Sequence, residues 1–144
     1  MQFLAAVLLT VSAGETMATP KDSPRNVVGG TLEPCCFAPK TGYYRDGFCR
    51  TDSHDRGSHT VCAEMTAEFL EYTGSRGNDL TTPRPEFNFP GLKPGDRWCV
   101  CAARWQEAYA AGHAPPVVIE ACHERALSIV SIEALREHSI GGRN

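Results

Sequence analysis

No apolar run in this 144-residue chain approaches the ~20 residues of a membrane-spanning helix, so no membrane span is expected. Positive charge is scarce: 14 Lys and Arg stand against 17 Asp and Glu, a formal net charge of −3. A binder of the phosphate backbone needs a basic face, so no nucleic acid is expected as a partner. The chain has no phosphate loop, no dinucleotide fingerprint, no H-E-x-x-H and no G-x-S-x-G. It also lacks the C-x2-C knuckle of common zinc sites and any internal repeat. What remains is an ordinary globular composition, 42% hydrophobic and 22% charged, at the length of one domain. Gly 13 and Pro 10 mean many turns but not a disordered chain.

Residues 3–11, FLAAVLLTV, are apolar and lead into Ser12, Ala13 and Gly14. That order suits a signal-peptide core and cleavage zone, but no Lys or Arg precedes it. A second methionine, Met17, stands just before the polar ATPKDSPRN. Residues 1–22 are therefore read as an extension or signal-like segment, and 23–140 as one domain. A cytoplasmic location is favoured. Export is the alternative if residues 1–16 act as a signal.

Gly29, Gly30, Pro34, Pro39, Gly42 and Gly47 punctuate the start of the domain. Asp46-Gly47 between aromatic flanks predicts a hairpin. Val61, Cys62, Met65, Phe69 and Tyr72 recur at helical spacing, which predicts a helix from about His59, capped by Ser58 or Thr60 and ended by Gly74 or Gly77. Four prolines, Pro83, Pro85, Pro90 and Pro94, make 78–95 a long extended connection. Lys93-Pro94-Gly95-Asp96 predicts a type II turn. Strands are expected over 97–102 and 116–121, with a short one at Ile129 and Val130. Helices are expected over 103–111 and 132–138, with a turn of helix over 123–127. The sum is α+β: a few short strands against two to four short helices, with long Pro/Gly-rich loops.

Seven cysteines are present: Cys35, Cys36, Cys49, Cys62, Cys99, Cys101 and Cys122. An odd count fits reduced thiols better than a closed disulfide set. An exported chain would carry up to three bridges, and spacing leaves their pairing open. His59 and Cys62 share a face of the expected helix, and Cys99 and Cys101 a face of the expected strand. Two such pairs can close a tetrahedral site, so zinc is a candidate cofactor. The candidate ligands are His59, Cys62, Cys99 and Cys101, with Cys49 and His123 in reserve. The bland reading is buried thiols packing as small hydrophobes. A second chemistry is a reactive thiol: Cys62 in a first helical turn, with His59 or His123 as base and Asp46 or Asp55 as orienter. Third, Arg45, Asp46, His54, Asp55, Arg76, Asn78, Asp79, Arg84, Asp96 and Arg97 form a polar loop set. It either staples loops or receives a small anion at the helix start. His113 and His138 are read as structural, and Trp105 is expected to pack on Tyr109.

The segments GGTLEPC (29–35), TGYYRDGFC (41–49), GSHTVC (57–62), GNDL (77–80), FPGLKPGDRWCVCAARW (89–105) and APPVVIEACHE (114–124) resemble one family, known as domain of unknown function 2237, found in bacteria and plants. The resemblance spans roughly 26–135. It implies no activity and no catalytic residue. Family members usually begin close to NVVGG, which favours Met17 as the natural start. Thiols at Cys36 and Cys122 stand where the resemblance leads one to expect hydroxyl residues, so these two rank below the other five. The expectation is a Cys/His-lined metal-binding or thiol-redox domain. The alternative is a protein-interaction module using the Pro-rich loop 81–94.

Overall fold

A pair of antiparallel strands organises the chain. In the computed structural model, which describes residues 23–141, β1 (His59–Glu64) lies beside β2 (Arg97–Cys101). Cys62 faces Cys99 across the ladder, and Ala63 faces Trp98. The segment 1–22, read from the sequence as an extension, lies outside the described residues.

The helix expected from His59 is instead a strand and then a helix. Thr60 to Ala63 are all buried, so β1 shows none of the apolar/polar alternation that marks a half-exposed strand. Its apolar residues ran on in sequence into those of the next element and imitated one helical stripe. The helix, α1, spans Ala67–Ser75. Thr66 caps it by accepting the Phe69 N–H at 3.0 Å, a contact worth about 1 kcal/mol in comparable helices. Phe69, Leu70 and Thr73 are buried.

Three further β expectations fail. Around Asp46-Gly47 there is no ladder: Gly47 N–H reaches back to Thr41 O, and Asp46 Oδ1 takes the Phe48 N–H. The aspartate side chain thus competes with strand pairing, as short polar side chains do in turns. In 116–121 the strand shrinks to a bridge at Val117, followed by a 3-10 turn over Ile119–Ala121. Pro115 and Pro116 offer no N–H, so the ladder cannot extend on that side. The segment still covers the free edge of β1: Val118 donates to Cys62 O at 2.9 Å and Glu64 to Pro116 O at 2.9 Å. Ile129 and Val130 form no strand. Both donate to Ala126 O at the end of a 3-10 turn over Glu124–Ser128.

The rest follows expectation. The 93–96 turn closes through Asp96 N–H on Lys93 O, with Gly95 at φ 93°, a conformation that suits only glycine well. Directly after β2 comes α2 (Ala102–Ala110), and α3 (Ile132–Glu137) is capped by Ser131. Trp105 is fully buried, donates to Pro115 O at 3.1 Å and stacks on Tyr109 with ring centroids 5.4 Å apart. His138 packs its ring against both, and His113 meets Glu68 at 2.6 Å. The described residues form a small α+β domain of one two-stranded sheet and three α-helices. None of the helices among the described residues is long and apolar enough to cross a membrane.

Candidate functional site

The register of the sheet slips between His59 and Val61. His59 pairs with Cys101 while Val61 pairs with Val100, so Thr60 is the extra residue of a β-bulge. Strand alternation puts Cys99 and Cys101 on one side of the sheet, and Cys62 joins them as the partner of Cys99. Without the bulge, His59, three residues before Cys62, would point to the opposite side. The extra residue returns it to the cysteine side. His59 and Cys62 thus lie on one side of a bulged strand and not on a helix face.

Four cysteines are paired. Cys35 is bonded to Cys62 and Cys49 to Cys99, across separations of 27 and 50 residues. The sulfurs of Cys35, Cys49 and Cys99 all lie within 4.8 Å of one another, so the two disulfides are neighbours. All four of these residues are buried. In the loop-closure account each bond stabilises the fold by about 3–4 kcal/mol through the unfolded chain. Cys36, Cys101 and Cys122 are free thiols. Burial pushes the Cys122 thiol up to about 12, and its S–H lies 3.4 Å from Val118 O. Cys122 is therefore an inert core residue.

His59 is held by a buried acid. Asp55, whose side chain is fully inaccessible, receives three donors: His59 Nδ1 at 2.6 Å, His59 N–H at 2.9 Å and Thr51 Oγ1 at 2.9 Å. This arrangement favours the tautomer with the proton on Nδ1, leaving Nε2 with a lone pair and no protein partner among the described residues. The Tyr43 ring stacks on the imidazole, and a Cβ at Gly57 would come within 2.6 Å of its Cε1. The ring is thereby fixed on several sides.

The loop cluster does not receive an anion at a helix start, because no helix starts there. The amides of Ser58, His59 and Thr60 already donate to Asp55 O, Asp55 Oδ2 and Ser58 O. Cys62 likewise lies in β1 and not in a first helical turn, and its sulfur is bonded to Cys35. Asp46, the other candidate orienter, pairs with Arg50 at 2.7 Å and leaves Asp55 alone with His59. His123 stands apart. Its Nδ1 accepts the Arg125 N–H at 3.0 Å as a cap, and burial lowers its pKa.

His59 and Cys99 both line a cleft of about 460 Å³, with Trp98 and Phe89 among its walls. The Pro-rich loop supplies Arg84, Phe87 and Asn88 to the same cleft, and Arg45 closes another side. In the sequence Trp98 and Phe89 read as core and loop anchors, with Phe89 inside the Pro-rich loop 81–94. Arg45 stands out there only as a member of the polar loop set.

Fold and site together define a small α+β domain with a paired-cysteine centre beside a histidine–aspartate pair. The chain belongs to domain of unknown function 2237, a family described as uncharacterised protein conserved in bacteria, whose model matches residues 25–139. Among curated proteins none matches the chain.

His123 gives the fold a pH dependence with a definite sign. A histidine whose native pKa is depressed stabilises the fold above its ordinary value near 6.5, and that stability drains away as pH falls toward the native value. His123→Asn keeps a cap acceptor but cannot titrate. Denaturant unfolding of both proteins at pH 7 and pH 5 should show a larger acid loss in the wild type. Equal losses would contradict the buried neutral imidazole.

Proposed function

We propose that the chain is a thiol-redox domain in which Cys49–Cys99 is the exchangeable bond and His59, oriented by Asp55, is the base. The observation that carries this reading is that Cys99 and His59 line one cleft while Asp55 holds the imidazole from behind. Cys99 is buried, so a local opening of the cleft wall admits the small thiol, which gives its proton to His59 Nε2 before its thiolate attacks Cys99 Sγ. The Cys49–Cys99 bond breaks, Cys49 leaves with the electron pair, and the proton on His59 neutralises it. A second small thiol attacks the substrate sulfur of the mixed disulfide and releases Cys99. Two thiols are oxidised to one small disulfide, and one protein disulfide is reduced to two thiols. Cys35–Cys62, within reach of Cys49, is a reserve bond that can take the exchange inward.

This reading keeps His59 and Cys99 as site residues, moves Cys62 from nucleophile to reserve partner and leaves Cys101 as a free thiol on the same side of the sheet. The cytoplasm suits it, because the bonds must open as well as close. In it, residues 23–140 act as one domain. The interaction reading of loop 81–94 draws on exposed Phe87, yet the same loop forms a wall of the cleft.

A second reading is supported by the sulfur spacing. Around a tetrahedral zinc with Zn–S near 2.3 Å, sulfurs stand roughly 3.8 Å apart. The trio Cys35, Cys49 and Cys99 is already within 4.8 Å, with Cys62 tethered to Cys35. Reduction frees four thiols that can take one zinc ion as thiolates, without His59, Cys101 or His123.

Treating the oxidised protein with a small thiol and trapping with an alkylating agent tests the first reading. Cys49–Cys99 should open before Cys35–Cys62. His59→Gln should slow that opening by about 100-fold, the lower range for loss of a general base. Equal opening rates of the two bonds, or an unaffected variant, would overturn it. For the second reading, fully reduced protein dialysed against zinc should retain one equivalent and lose it in Cys99→Ser. Zinc-free protein after dialysis would reject a metal centre.

A further inference from the structure

The cleft carries more information than the exchange chemistry uses. Three non-glycine residues among those described have left-handed backbones: Arg45 at φ 53°, Ser58 at φ 47° and Asn88 at φ 52°. Arg45 and Asn88 line the cleft, and Ser58 immediately precedes His59. Such conformations are costly, and they cluster where a surrounding structure is shaped for a ligand. The volume, about 460 Å³, falls in the range of small-molecule sites.

The polar groups of the lining differ in what they have left to offer. Arg45 spends its Nη1 on Gly42 O at 2.6 Å and its Nη2 on Phe87 O at 3.0 Å, with the guanidinium 4.9 Å above the Trp98 ring. Its Nε is buried and has no acceptor. A buried donor without an acceptor is a standing cost that an incoming oxygen would relieve. Arg84 is exposed and has no carboxylate within ion-pair distance among the described residues. Of the two acids in the lining, Asp79 has its oxygens occupied by the amides and hydroxyls of Thr81 and Thr82. Glu86 is exposed on the Pro-rich loop. The unspent donors are therefore guanidinium N–H groups and the Asn88 side-chain amide, and the group that a guanidinium recognises best is a carboxylate. Beside them Trp98, Phe89 and Leu80 offer an apolar wall.

We infer that the cleft selects small organic thiols that carry a carboxylate on an apolar body, an inference that rests on the exchange reading above. The carboxylate meets Arg84 and the Nε of Arg45, the body lies along the aromatic wall, and the sulfur is left for Cys99 and His59. Exchange then proceeds by the steps already given, with the small thiol as reductant.

Three matched probes test this: 4-(mercaptomethyl)benzoate, its neutral carboxamide, and the unreactive S-methyl ether of the benzoate. The first two share one thiol chemistry and differ in charge. With the full-length oxidised protein, the benzoate should open Cys49–Cys99 about tenfold faster than the carboxamide, the scale of one charge-assisted contact. In Arg84→Gln, an exposed position that leaves the core untouched, the two rates should converge. Equal rates in the wild type, or a preference that survives Arg84→Gln, would overturn the selectivity while the exchange reading stands. Binding of the S-methyl ether, followed through the NMR signals of Trp98 and His59, separates the other failure. If neither thiol opens the bond but the ether binds and Arg84→Gln abolishes that binding, the exchange reading falls and carboxylate recognition stands. If neither thiol reacts and the ether does not bind, both fall.

Discussion

The pairing of Cys62 with Cys99 across two short strands is the constraint on which the rest depends. Cross-strand neighbours stand close enough that whatever bonds to one is brought beside whatever bonds to the other. Cys35 comes in from the N-terminal turns to reach Cys62, and Cys49 from the 41–50 loop to reach Cys99. Two turn-rich stretches with hardly any ladder of their own are thereby fixed to the sheet. The bulge at Thr60 adds the one residue needed to turn His59 toward the same side. Thr60 is itself anchored, its carbonyl accepting the His123 N–H at 2.9 Å.

This arrangement explains why so little regular structure suffices. A two-stranded sheet is marginal alone, and this one is buried by what is packed and bonded around it. Backbone groups on the outer edge of β1 are met by residues 116–118, and Thr41 Oγ1 accepts the Cys99 N–H at 2.8 Å. The polar groups that loops must bury are satisfied by short local contacts, such as Asn26 Oδ1 with the amides of Val28 and Gly30. His59 and Cys99 sit on the strands, Arg45 and Arg84 on the loops around them, and the turn-rich composition of those loops conceals a well-bonded backbone.

The sequence was legible where one local signal acted alone. The Lys93–Asp96 turn, the strand from Arg97, the helix after it and the Trp105–Tyr109 stack each follow from nearest neighbours in sequence. It misled where two elements shared one apolar stripe, as Val61 to Tyr72 did, because a strand buried on both faces has no period of its own. Disulfide pairing was not readable, since spacing does not determine which thiols meet. The His59–Asp55 pair was one of several combinations open in the sequence, and only the close turn over 55–59 singles it out. Arg45 shows the limit most clearly: an unsatisfied buried Nε has no counterpart in any sequence pattern.

Which sulfurs are joined decides the geometry of the whole site. Proteolysis of the native oxidised protein without reductant, with free thiols blocked beforehand, followed by mass mapping of the linked peptides, reads this directly. It should return Cys35 joined to Cys62 and Cys49 joined to Cys99, with Cys36, Cys101 and Cys122 carrying no bond. A Cys62–Cys99 link, or seven free thiols under oxidising conditions, would contradict the arrangement from which the site was built.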